Sequence, residues 1–382
     1  MSTSPTTTFS SLASTAFSLY KQQKEIEGRK LRLSRMSFVL DGFRLSGSVL
    51  PRIAPSVVFI SMYATLIALA DLEFGQQWKT SNSIVGPLSV VVGLLLVFRN
   101  STSYDRWYEG RRIWQDASST ARSLAQLIWI NVDTHVDPAK HGDRLERKRK
   151  AMRLIAAYLV ACKHHLRQET GTDWPDYRGI LPVEWIANPY PQHRYEGGGN
   201  GSGETSAPSK ANASDVESAP LLTHQPANST FAEMHLDVPS RILAELGSYL
   251  SGVRRAGLLN DAGPAGFSLL NAQLVALSNQ LAGMVRISRT SIPVMYGIHL
   301  KQCCLFYLLC LPLVLVSELS WKMVPVVTLV AITLIGLEGI SSEIEDPFGD
   351  DPSDHPLDYL CSSTRLEIER LMQCVDPKIR DE

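Results

Sequence analysis

Residues 90–115 read VVVGLLLVFRNSTSYDRWYEGRRIWQ. The stretch is apolar to Phe98 and then turns abruptly polar at Arg99. Val90, Leu94 and Phe98 recur at steps of four, which places them on one face of a helix. Beyond Arg99 the helical spacing continues, with Tyr104, Trp107, Tyr108 and Trp114 set among charges. A helix that passes from bilayer to cytosol without a break can line a pathway between them. This one stretch therefore predicts a membrane helix that continues into a cytosolic domain.

The surrounding composition agrees. Of 382 residues, 45% are hydrophobic and 20% charged, and the net charge is −1. Four runs contain no Asp, Glu, Lys or Arg: 53–70, 80–98, 302–317 and 323–337. A disordered chain, a collagen and a coiled coil are excluded, and no basic field favours nucleic acid. Eight bases lie between residues 21 and 52, and Arg99, Arg106, Arg111 and Arg112 follow the second run. Positive charge on the cytosolic side then puts the N-terminus inside, residues 71–79 outside and the chain back inside at Arg99. The last two runs, joined by residues 318–322, form a second hairpin and leave both termini cytoplasmic. They are short for spanning helices, so a buried soluble hairpin stays open for them.

Between the hairpins, Ile113, Trp114, Ala117, Ala121, Leu124, Ala125 and Ile128 recur at three and four, as do Leu270, Leu274, Leu277, Leu281, Met284 and Val285. These patterns predict amphipathic helices of a cytosolic domain. The expected fold class is an all-α membrane protein. It comprises a disordered tail at 1–20, a basic segment and first hairpin at 21–100, and a helical domain at 101–290 with a disordered insert at 196–230. A second hairpin at 291–340 and an acidic cytosolic segment at 341–382 complete it.

Other motifs carry less. The six cysteines contain no CxxC pair and read as reduced thiols. Gly199, Gly201 and Gly203 lack the strand and helix of a dinucleotide loop. The sequon at Asn100 falls on the cytosolic side and is a chance match. His164 and His165 point about 100° apart on a helix, so with Cys162 they do not make one metal site. No nucleophile elbow or zinc helix supports an enzyme.

The pattern F-R-N-S-x-x-Y-D-R-W-Y-E-G-R-x-x-W, with IPVMYGIHLK at 292–301, LPLVLVSELSW at 311–321 and GLEGISSEIEDPFGDD at 336–351, resembles the bestrophin-like chloride channel family, in a fungal or bacterial/plant-type form. The resemblance covers about residues 40–360, excluding 196–230. It implies a homopentamer around one pore, four membrane helices per subunit and a neck formed by the second. Val90, Leu94 and Phe98 are the implied neck positions. Only Phe98 is aromatic, where animal members carry more Phe, so chloride conduction and cation conduction both stay open. A helix-packing role for the three residues stays open too.

Calcium is the second expectation. Eight acids lie between Glu338 and Asp358, and no Lys or Arg occurs between Lys322 and Arg365. The resemblance places Asp351 and Asp354 at carboxylate positions that hold calcium in animal members, with Glu343 and Asp346 upstream. Pro352, His355 and Pro356 interrupt the acid string, so a solvated turn is the competing reading. The leading function is passive anion conduction with no required cofactor, in a plasma membrane by default or an organelle membrane. The alternatives are a cation channel and a membrane-anchored helical scaffold.

Overall fold

The computed structural model describes residues 47–74, 83, 85–134, 138–182, 184–185, 237–259 and 263–374. The tail at 1–20, most of the basic segment, the loop residues 75–79 and the insert at 196–230 lie outside the described residues. No strand occurs among those described. The helices are α1 (Leu50–Phe74), α2 (Val85–Asn131), α3 (His141–Leu166), α4 (Val238–Arg255), α5 (Gly263–Arg289), α6 (Val294–Leu319), α7 (Met323–Glu343) and α8 (Leu357–Cys374).

Three stretches are long and apolar enough to cross a membrane: Leu50–Asp71, part of Val85–Asn131, and Val294–Glu343. The third is broken by a 3-10 turn at Ser320–Lys322, where Ser320 takes φ 48°. That left-handed residue ends α6 and lets α7 begin. α7 lies close on α1 because glycine faces it. A Cβ on Gly339 would stand 3.0 Å from Val49 Cγ2 and 3.1 Å from Ile53 Cγ2. Small residues permit such approach where hydrophobicity alone does not drive apolar helices together. The Ser61 and Thr328 hydroxyls, 2.8 Å apart, tie the same two helices.

Two cores result. One joins α1, α2, α6 and α7 through Ile60, Val92, Leu96, Leu300, Leu308 and Val327. The other joins the rest through Trp114, Leu124, Ile155, Tyr158, Leu246 and Leu277. The predicted periodic positions of α2 and α5 are buried in it, with Ile113 and Val285 at its margin. Within it, the Tyr158 hydroxyl donates to the Leu277 carbonyl at 2.7 Å, so the buried phenol is satisfied. α2 contributes to both cores. Its 47 residues extend about 70 Å at 1.5 Å per residue.

Candidate pore-lining helix and the collar that holds it

α2 has two unlike faces in its apolar half. Val92, Leu96 and Arg99 are 1%, 2% and 5% exposed, against 71%, 54% and 57% for Val90, Leu94 and Phe98. The second set follows one helical line that the described residues leave largely exposed. Val91 and Val97 flank that line and are also exposed. α1 presents a comparable line at Val58, Met62 and Leu66, but of the two helices only α2 runs on into the second core, and one such line encloses nothing.

Just past the apolar half, a collar of long-range contacts grips α2. The buried Arg99 donates from Nη2 to Glu345 Oε2 at 2.6 Å, and Glu345 Oε1 accepts the Ile292 amide at 3.0 Å. Arg106 donates to the Thr290, Ile287 and Glu345 carbonyls at 2.6, 2.7 and 3.2 Å. One guanidinium thus caps the C-terminal carbonyls of α5, where positive charge is favoured. Trp107 is packed: its Nε1 donates to the Ser353 carbonyl at 3.1 Å, and its ring lies 4.6 Å from that of His355. His355 Nε2 donates in turn to the Trp107 carbonyl at 3.0 Å. Burial holds the His355 imidazole below its ordinary pKa, with the Arg111 charge acting the same way.

The glycine that closes D-R-W-Y-E-G has a reason. A Cβ on Gly110 would stand 3.0 Å from Pro347 Cγ and 3.1 Å from Phe348 Cζ. The Asp-Pro-Phe-Gly turn sits directly on α2 there, with Phe348 buried in the second core. The two motifs that carried the family resemblance, more than 200 residues apart, are one packing unit. Asn100, in the sequon read as chance, accepts a hydrogen bond from Ser341 Oγ at 3.2 Å in the same unit.

In the acidic segment the four carboxylates read as candidate calcium ligands meet partners within the chain. Arg52 lies 3.6 Å from Glu343 and 3.9 Å from Asp351. Glu343 Oε1 accepts from Ser353 Oγ at 2.5 Å, Asp354 Oδ2 from the Asp351 amide at 2.8 Å, and Asp346 Oδ1 from the Phe348 amide at 3.4 Å. Among the described residues no three His, Cys, Asp or Glu side chains converge as metal ligands. Asp354 Oδ1 is buried without a hydrogen-bond partner among the described residues. Burial, with Asp351, Asp346 and Glu343 adding, raises its carboxyl to about 6. Calcium needs six or more converging oxygens, and no such convergence occurs among the described residues.

The acids serve another purpose. Glu338 pairs with Lys301, Glu343 and Asp351 with Arg52, Glu345 with Arg99, Asp350 with Arg167, and Asp358 with Lys163 and Arg167. Their partners all lie upstream, so the segment is stapled across both cores. Lys163, buried, donates to Asp176 at 2.5 Å and Asp358 at 2.6 Å. Beside it, the two ring nitrogens of His164 face Glu169 at 2.5 Å and Asp176 at 3.0 Å. His165 turns instead to Asp237 and Arg289, as the 100° step requires.

Sequence reasoning named none of these partnerships. The available signal was the imbalance itself: eight acids with no base among them must find cations elsewhere.

The sequence profile described as Bacterial/Fungal Bestrophin protein matches residues 29–370. The chain belongs to the bacterial and fungal bestrophin family. It is 32% identical over 342 residues to a voltage-dependent anion channel-forming protein of Nostoc sp., covering 88% of this chain and 92% of that one. A protein of the same description from Synechocystis sp. is 30% identical over 332 residues, covering 86% and 90%. The fold resembles the crystal structure of a bacterial bestrophin homologue from Klebsiella pneumoniae, with TM-score 0.63 at 21% identity, covering 84% of this chain and 98% of that one. This bestrophin is therefore a helical membrane protein of an anion-channel family.

Proposed function

We propose that the chain is an anion channel, chiefly for chloride, that conducts passively through a central pore of a homopentamer. The observation that carries this reading is the uncovered line of Val90, Leu94 and Phe98 on a helix continuous from the apolar core to the cytosolic one. Five copies brought together by a rotation axis would close that line into three apolar rings, about 6 Å apart along the helix rise. Apolar rings of small radius expel water and form a gate. The ring edges of Phe98 offer partial positive charge to a passing anion.

Each subunit crosses the membrane four times, with residues 318–322 outside and both termini cytoplasmic, and the plasma membrane is the default site. Conduction in this reading needs no resident cofactor. The names of the Nostoc and Synechocystis relatives support an anion as the permeant ion. Cation conduction is the second reading, favoured by Val and Leu at the two outer neck positions, which offer an anion nothing.

Reversal potentials of the purified chain in planar bilayers under a KCl gradient test this. A value near the chloride equilibrium potential is expected, with Phe98→Ala moving it toward zero. A value near the potassium potential establishes the cation reading, and the lack of any current leaves the scaffold.

A further inference from the structure

The exposed line of α2 does not stop at Phe98. The helix runs on unbroken, and at 100° and 1.5 Å per residue Asp105 lies nearly two turns further, about 10 Å beyond Phe98. Its angular position falls between those of Leu94 and Phe98. Ser101, Asp105, Arg112 and Asp116 continue this face, and all four are exposed. Asp105 is the first charge on it. The neighbouring charges of the helix are engaged. Arg99 meets Glu345, Arg106 meets three carbonyls, and Glu109 meets Arg286 at 2.5 Å. The Asp105 carboxylate meets neither a cation nor a hydrogen-bond donor among the described residues. The helix therefore delivers a solvated acid to the same side as the neck, just past its inner end.

We propose that the Asp105 carboxylates of the assembled subunits form a ring of negative charge at the cytosolic mouth of the neck and determine how freely anions enter from that side. This rests on the pore reading above. A ring of carboxylates attracts cations and holds back anions. Distance decides which charge on the face matters. At about 0.15 M salt the screening length is about 8 Å. Asp105 stands about 10 Å from Phe98, and low-dielectric walls weaken screening over that span. Arg112 and Asp116 stand about 20 and about 27 Å away, beyond two screening lengths. The ring thus opposes the partial positive charge that the Phe98 edges offer. Anion flow out of the cytosol is then smaller than flow into it, and anion preference falls short of complete.

Single-channel currents of the full chain in planar bilayers test this, in KCl at about 0.1 M and about 1 M, where the screening length is about 10 and about 3 Å. The wild-type channel should rectify roughly twofold at the lower salt and not at the higher. Asp105→Asn should abolish the rectification and, under a KCl gradient, move the reversal potential toward that of chloride. Arg112→Gln should move it the other way and by less. In a cysteine-free background Asp105→Cys should behave like Asp105→Asn. A thiol-reactive sulfonate should then restore wild-type behaviour, and a thiol-reactive quaternary ammonium should carry the channel further from it. A packing role gives no such rescue, because the sulfonate returns the charge and not the shape. If Phe98→Ala shifts the reversal potential and the Asp105 variants do not, the ring is wrong and the pore stands. If neither shifts it, or the wild-type chain carries no current, the pore reading falls and the ring with it.

Discussion

Glu345 is the residue on which the collar turns. It pairs with a 5%-exposed guanidinium through one oxygen and accepts from the amide that opens toward α6 with the other. Glu345→Ala leaves Arg99 buried and unpaired, which costs about 3–5 kcal/mol. Removing both partners eliminates the stranded charge. The double variant Arg99→Ala, Glu345→Ala should therefore melt above Glu345→Ala in detergent, and strict additivity of the two losses would show that the pair is uncoupled. The Lys163 cluster makes a second prediction. Burial pushes the Asp176 carboxyl upward, but hydrogen bonds and charge from His164 and Lys163 outweigh it and hold it at about 2, below its ordinary 3.8. A lowered carboxylate pKa stabilises the fold above about pH 4 and loses that contribution as pH falls toward 2. Asp176→Asn should melt lower than wild type at pH 7 and equal it near pH 2. With about a third of that side chain in water, the difference is a few degrees at most. A gap that persists unchanged at low pH would assign the loss to packing.

At the scale of the element, α2 is one rigid rod in two environments. Its upper half packs by Val92 and Leu96, its lower half by Trp114 to Ile128, and the collar fixes its rotation between them. That rotation decides which side chains stay uncovered. Shrinking Val90, Leu94 and Phe98 together to Ala removes three exposed apolar side chains without touching either core, so folding and assembly should be kept. The constriction should widen and wet, giving a several-fold larger single-channel current with weaker gating. A triple variant that assembles and conducts like wild type would place the pore elsewhere. The same rod logic explains Gly110: any side chain there would push the Asp-Pro-Phe-Gly turn off α2 and release its rotation.

For the whole molecule the argument is one of closure. A single uncovered line of side chains cannot enclose a path, and head-to-tail contacts around an axis form a closed ring. Native mass measurement in mild detergent should give five times the mass of one 42.3 kDa chain. A monomer that retains conduction would defeat the ring. Orientation is checked in the same preparation by single cysteines in a cysteine-free background. A membrane-impermeant thiol reagent applied to intact cells should label Trp321→Cys, between α6 and α7, and spare Arg149→Cys on α3. Labelling of the second would invert the topology.

Much of this was legible along the chain because the signals are local. An apolar run, a step of four from Val90 to Phe98, and a base cluster at Arg99 are properties of neighbours in sequence, and helix geometry turns them directly into faces and spans. The partners of the charges were not legible. Arg99 and Glu345, or Lys163 and Asp358, stand about 200 residues or more apart, and each reads as an ordinary solvated charge until packing removes its water. The acid-rich segment shows this most clearly. Its composition suggested a calcium site, but ligation depends on where oxygens converge, and convergence is set by the docking of α1, α2 and α3 around that segment. Those helices brought arginines and a lysine to the acids, and these pairings were out of reach of composition.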